Sequence, residues 1–331
     1  MNEGKIPENV LKRSVLRFVK NKKEECSAGA SFTEDCAVLN LCKNTAMIGS
    51  SVAVGAGFLE SHFALVKACN NLYAGGFTPT HVLLSVTVSE SYEESELKLL
   101  MTRLSVVAGN EKVVIAGGHT TVSSSLKDDC LVSVTAFGTK DTDNCTGKIN
   151  VNDAIVVSKW IGLEGTLLLA KKYRDGIEER FRDDFTKSLS NYMEYLSVKE
   201  EAAEALNFGV KTMKDVSEHG IFGALYELAE RAGRGISVNL KDIPVKQEVI
   251  ELSNFFDINP YEMKSSGMLL MVTEDGEGLV EALEKKGIKA ALIGRFTDNN
   301  DKVVINGEEK RFLEKIKQDS IYKINKNQQK G

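Results

Sequence analysis

Thr212-Met-Lys-Asp-Val-Ser-Glu-His-Gly-Ile-Phe-Gly223, continuing through Ala224–Gly233, decides how this chain is read. An apolar lead-in, Phe208-Gly-Val210, precedes it. Ile221, Leu225, Leu228, Ala229 and Ala232 then recur at helical spacing and form one buried stripe. Gly233 suits a C-cap. The pattern predicts a helix from near Ser217, with Asp215 or Ser217 capping its free amides. Asp215, Ser217, Glu218 and His219 then crowd one loop at a helix start, where partial positive charge favours an anion such as phosphate. A carboxylate there can also hold a metal ion against a phosphate. Taken alone, Asp-x-Ser-Glu is explained by helix capping, so the context supplied by the rest of the chain decides.

The second half has a mixed strand–helix rhythm around this stretch. Upstream lie strand Ala154–Ser158, helix Glu164–Tyr173, a charge-rich Asp175–Asp184 that reads as solvated surface, and helix Val198–Phe208. Downstream come strand Ile236–Leu240, helix Lys246–Phe256, strand Met268–Val272, helix Gly278–Lys286 and strand Ala290–Phe296. Asn306-Gly307 marks a hairpin, and Ile316–Gly331 reads as a polar, frayed end.

The first half opens with a helical Pro7–Lys20 and a polar, mobile Asn21–Gly29. Short strands Ala37–Leu41 and Thr45–Ile48 lead through a Gly55-Ala-Gly57 loop to helix Glu60–Ala74. Val82, Leu84, Val86 and Val88 alternate along strand Thr80–Val88. Helix Glu93–Ala108 follows, then a buried strand Val113–Ala116 running into Gly117-Gly118-His119-Thr120, then strand Leu131–Gly138. The polar Thr139–Asn152 sets a domain boundary, giving an N-terminal domain 1–152 and a C-terminal domain 153–331.

Composition bounds the function. The 331 residues allow about two domains, and 42% hydrophobic with 27% charged residues is ordinary for a globular protein. A net charge of −5 argues against broad nucleic-acid binding. No apolar run is long enough to span a bilayer, and the N-terminus lacks the apolar core of a signal peptide. The six cysteines make no CxxC pair and no zinc-type spacing, which fits a reducing cytoplasm.

Glycines after a strand let backbone approach a phosphate closely, which nominates Gly117, Gly118, His119 and Thr120. Glu34-Asp35, Asn70-Asn71 and Asp215–Glu218 are the other candidates, and each alone is explained by a turn, a helix end or a cap. No catalytic residue can be assigned.

Together these segments resemble the superfamily of aminoimidazole ribonucleotide (AIR) synthase, the PurM-like proteins. It also holds thiamine-monophosphate kinase, selenophosphate synthetase and the HypE-type hydrogenase maturation factor. The nearest likeness is to the clostridial AIR synthase-related, HypE-like branch. It is carried by Ile6–Val15, Gly117–Thr120, Val157–Thr166, Met213–Leu225 and Phe255–Gly267. The resemblance implies an α+β, two-domain PurM-like fold and a homodimer whose N-terminal strands form a shared β-barrel. It implies ATP in a cleft between the domains, and ATP-dependent phosphoryl transfer onto a carbonyl- or amide-like substrate, with Mg2+ held by aspartates. On that basis Asp35, Asn71, Gly117, Gly118, His119, Thr120, Asp215 and Glu218 are expected to bind cofactor, and Asp35 and Asp215 the metal.

The chain departs from the pattern at several acidic positions. Thr33-Glu-Asp-Cys-Ala37 keeps Asp35, but Ser51 stands where the family has an aspartate. Leu59 falls where an acid is expected, with Glu60 adjacent, and the family's Asn-Asp is Asn70-Asn71. A unit charge about 4 Å from another is worth roughly 4 kcal/mol at an effective dielectric of about 20, so losing two carboxylates is expected to weaken or abolish Mg–ATP binding. The HypE factor modifies a cysteine at its own C-terminus, whereas the last cysteine here is Cys145. A catalytically silent homologue that binds or scaffolds is the alternative the resemblance leaves open.

Overall fold

The computed structural model describes residues 8–14, 16, 26–28, 36–41, 44–54, 58–127, 129–140 and 147–324. Asp35, the Gly55–Gly57 loop and Cys145 lie outside the described residues. The chain forms two compact units: one is Leu16–Asp143, and the other gathers Met1–Val15 with Asn144–Gly331.

Helix α1 (Glu8–Ser14) belongs to the second of these units, where the Glu8 carboxylate pairs with Lys315. The first unit is built from β1 (Cys26–Ala28), β2 (Cys36–Leu41), β3 (Asn44–Val54), α2 (Phe58–Ala74), β4 (Thr78–Val88), α3 (Glu94–Asn110), β5 (Val114–Val122) and β6 (Cys130–Thr139). Its sheet runs β1-β2-β3-β6-β4-β5, antiparallel except for the parallel β4/β5 pair. The alternation along β4 is realised: Val82, Leu84, Val86 and Val88 are buried while His81, Leu83 and Ser85 face out. Helix α2 packs on β3, β4 and β6, and its Leu65, Ala68, Cys69 and Leu72 are fully buried. The opposite sheet face carries Ile48, Val52, Leu83 and Phe137 beside a Ser50–Thr135 hydroxyl contact of 3.0 Å.

The second unit contains β7 (Ala154–Ser158), α4 (Leu163–Lys172), α5 (Arg174–Arg180), α6 (Asp183–Ser190), α7 (Lys199–Phe208), β8 (Thr212–Val216), α8 (Gly220–Ala232), β9 (Gly235–Asn239), α9 (Gln247–Phe255), β10 (Met268–Thr273), α10 (Gly276–Lys285), β11 (Ala290–Thr297), β12 (Lys302–Asn306) and β13 (Glu309–Phe312). The sheet order is β13-β12-β9-β11-β7-β10-β8, with β9/β12 its parallel pair. Strands β7 and β10 are buried along their whole length, which accounts for their apolar runs. Strand β8 is buried too, although it carries Lys214, paired with Glu227 at 3.0 Å, and Asp215. The α8 stripe of Ile221, Leu225, Leu228 and Ala229 packs with Val157, Val216 and Leu270 in the core. The Asn306-Gly307 hairpin is present, with Asn306 opposite Glu309.

Several expectations need correction. Helix α8 starts at Gly220, not Ser217, and Asp215 is a buried residue of β8, not a cap. The antiparallel backbone pairing of β8 with β10 outcompetes the capping signal, and the helix is entered through His219 in the left-handed region (φ 64). Gly117–Thr120 is not a loop after a buried strand, because β5 runs straight through it and, as the edge strand of its sheet, is exposed along most of its length. Gly118 (φ +150) pairs so closely with β4 that an added Cβ would lie 1.7 Å from the Leu84 carbonyl oxygen, so this glycine serves strand pairing. Asn21–Gly29 contains strand β1. Asp175–Asp184 is solvated as expected, its charged residues exposed on and between α5 and α6, while Ile177 is buried. The polar end is docked in part: Ser320–Tyr322 forms a 3₁₀ turn with Ser320 and Ile321 buried. Among the described residues no helix is long and apolar enough to cross a membrane.

Candidate functional site

Three stretches far apart in sequence meet in the second unit. They are the β7–α4 turn Ser158–Gly165, the β8–α8 turn Ser217–Gly220 and the segment Tyr261–Gly267 before β10. The Ser265 amide donates to the Ser217 carbonyl at 3.1 Å, and the Gly165 amide to the Lys264 carbonyl at 2.9 Å. The Gly162 amide donates to Ser265 Oγ at 2.7 Å, and that hydroxyl donates to the Met263 carbonyl at 2.7 Å. These bonds fix both helix starts against one irregular segment, whose backbone groups would otherwise be buried without partners.

A charged cluster occupies this junction. The buried Lys264 ammonium donates to Glu218 Oε1 at 2.5 Å and lies 4.0 Å from Glu164 Oε1. Glu164, in the first turn of α4, accepts from Ser266 Oγ at 2.6 Å. Burial alone would push the Lys264 ammonium down, but the Glu164 and Glu218 carboxylates hold it above the ordinary lysine value. Lys264 also stands over the Tyr322 ring at 5.6 Å. Asp319 closes the cluster: its Oδ2 accepts from the His219 amide at 2.9 Å, and its Oδ1 from the Ile321 amide at 3.2 Å. Burial pushes the Asp319 carboxyl up to about 7, against the lowering pull of Lys264.

The amide of His219, the residue that caps the start of α8, is thus engaged by an internal carboxylate. Glu164, Glu218 and Lys264 together carry one net negative charge, which opposes a phosphate here and leaves the helix dipole as the main attraction for one. Asp215 is 5% exposed on β8, opposite Leu269 of β10, and lies in the same unit as Glu218. Asn71 is half-buried near the end of α2 in the other unit, and Gly117, Gly118, His119 and Thr120 are exposed on β5 there. Of the expected metal pair, Asp35 lies outside the described residues and Asp215 is a strand residue. Glu218 is engaged by Lys264, and among the described residues no group of three or more His, Cys, Asp or Glu is placed to hold a metal. The residues described do not by themselves fit a magnesium site.

Lys264, Glu164 and Asp319 escaped the sequence reading. The first two sit inside motifs quoted above, and their signal is an ionisable residue next to buried strand sequence, as in Lys264-Ser-Ser-Gly-Met-Leu-Leu-Met271. Asp319 had only the Asp-Ser signature of a capped turn, which its Oδ1 bond to Ile321 bears out.

The raised Asp319 value carries a linkage prediction. A carboxyl whose folded pKa lies above its unfolded value stabilises the fold fully below the unfolded value and loses that contribution as pH rises through about 7. The stability difference between wild type and Asp319→Ala is therefore expected to move against wild type by about 2 kcal/mol from pH 5 to pH 8. Urea unfolding at the two pH values measures it; a pH-independent difference refutes the assignment.

Comparison with known proteins fits this architecture. The profile of "AIR synthase related protein, N-terminal domain" matches residues 33–139, and that of "AIR synthase related protein, C-terminal domain" matches residues 150–306. A hydrogenase expression/formation protein of Methanocaldococcus jannaschii is 27% identical over 73% of this chain and 71% of its own length. The carbamoyl dehydratase HypE of Bradyrhizobium diazoefficiens is 24% identical over 68% of this chain and 63% of its own. A crystal structure of the hydrogenase maturation protein HypE in complex with ATP superposes with a TM-score of 0.71 at 18% identity, covering 97% of both chains. That degree of likeness establishes a shared two-domain fold.

Proposed function

Since this chain belongs to the AIR synthase-related family, we propose that it is a nucleotide-binding protein of HypE-like type that activates a carbonyl- or carboxamide-like group by ATP-dependent phosphoryl transfer, in the maturation of a hydrogenase or another metalloenzyme. The observation that carries this is the convergence of the Val157–Thr166, Met213–Leu225 and Phe255–Gly267 motifs on two helix starts around Lys264. A relative bearing the name carbamoyl dehydratase and a structural neighbour crystallised with ATP support the same reading. In this proposal Asp35, Asn71, Gly117, Gly118, His119, Thr120, Asp215 and Glu218 contribute to the nucleotide site. The proposed setting is the cytoplasm.

The substitutions at Ser51 and Asn71, with Glu218 already engaged by Lys264, favour a second reading: a binding or scaffold protein whose metal site is attenuated. Isothermal titration with ATP, with and without magnesium, separates the two. The expected result is weak binding with little magnesium dependence and slow or no hydrolysis, and a gain of magnesium-dependent affinity in the folded double variant Ser51→Asp/Asn71→Asp. Tight Mg–ATP binding by wild type overturns the attenuated-site reading. No measurable nucleotide binding by either protein overturns the enzymatic one.

A homodimer assembled through the N-terminal sheet completes the proposal. Its motive is the uncovered sheet face, where Val52 is 58% and Leu83 38% exposed. Light scattering at micromolar concentration is expected to give twice the chain mass; a monomer counts against it.

A further inference from the structure

Helices α4, α5 and α6 of the second unit line an open cavity of about 740 Å³. That volume lies within the roughly 300–1,000 Å³ of small-molecule sites. Its floor is apolar: Leu167, Ile177 and Leu189 are all buried there. Its rim is cationic, with Lys171, Arg174 and Lys187 exposed around the opening. Leu167 and Lys171 stand one turn apart on α4, so a single helix stripe supplies both kinds of wall.

The rim charges are unequal. Arg174 Nε is held by Glu178 at 2.7 Å, and Asp183 in the first turn of α6 adds a second acid to the lining. Lys187 has no carboxylate within 4.0 Å among the described residues, so its charge is available to a ligand. The lining holds three cations and two acids, a balance of one positive charge. This suits a monoanion and not a polyphosphate. None of these residues belongs to the Lys264 cluster.

We propose that this cavity binds an amphipathic monoanion: a carboxylate at Lys187, carried on an apolar body that lies against Leu167, Ile177 and Leu189. The site is independent of the nucleotide chemistry proposed above.

The test is isothermal titration of the full chain, with ATP present throughout, using octanoate, 2-naphthoate and 1-octanol as probes. One carboxylate is expected to bind saturably at one site per chain, and the tighter of the two tells whether the body is a chain or a planar ring. The neutral 1-octanol is expected to bind at least tenfold more weakly than octanoate if the chain is preferred. Lys187→Glu is expected to weaken the preferred carboxylate tenfold or more, while Lys98→Glu, an exposed change in the other unit, leaves it unchanged. Both variants are at exposed positions and are expected to melt as wild type does. The proposal is overturned if neither carboxylate binds saturably, or if folded Lys187→Glu binds like wild type.

Discussion

Gly220→Ala is expected to destabilise the second unit by about 3 kcal/mol or more, enough to lower its melting temperature by roughly 6–12 °C. Gly220 has φ +61, where an L side chain costs about 1–2 kcal/mol. Its added Cβ would also lie 2.6 Å from the carbonyl oxygens of both Tyr261 and Met263. Backbone cannot step aside as a flexible side chain does, and this backbone carries the bonds that join the β8–α8 turn to the segment before β10. Gly209→Ala is the matched control: it too is left-handed, at φ +88, but nothing stands within 4 Å of its added Cβ. Its cost is expected to stop at the conformational term, about 1–2 kcal/mol. Urea unfolding followed through the second unit compares the pair, and equal losses would show that the carbonyl contacts do not matter.

Lys264→Met comes next in size, with an expected loss of about 3–5 kcal/mol. Removing the ammonium leaves the Glu164 and Glu218 carboxylates facing each other at a buried junction with no cation between them. The double variant Lys264→Met/Glu218→Gln removes one of the stranded charges and is expected to recover part of the loss. Denaturant midpoints of the two variants provide the check. A double variant no more stable than Lys264→Met would mean that packing, not charge, is what Lys264 supplies.

The hydrophobic periodicity made most of the fold legible. The β4 alternation and the α8 stripe are local signals with one physical solution each, and both are found in place. The start of α8 was misplaced because Asp215 and Ser217 carry a capping signature, while the pairing of β8 with β10 lies outside any local window. The same blindness put Gly117–Thr120 in a loop: glycines after an apolar run signal a turn, yet here Gly118 permits the close parallel pairing of β5 with β4. Within the candidate site, Asp215 and Glu218 were visible because they share one short stretch. Lys264 and Asp319 reach the same junction from about 50 and 100 residues further along the chain, and nothing local to either residue announces that meeting.

Helix α1 folds with a unit whose other residues begin after Asp143, and its Glu8 pairs with Lys315. A ribosome therefore releases the first piece of that unit long before the last, with a whole other folding unit made in between. At roughly 5–20 residues per second the wait is on the order of half a minute. During that interval Leu16–Asp143 can complete its own sheet, while α1 stays without its partners. The two units are thus nested in translation, and a fragment cut at the polar Thr139–Asn152 linker would release a second unit lacking its first helix.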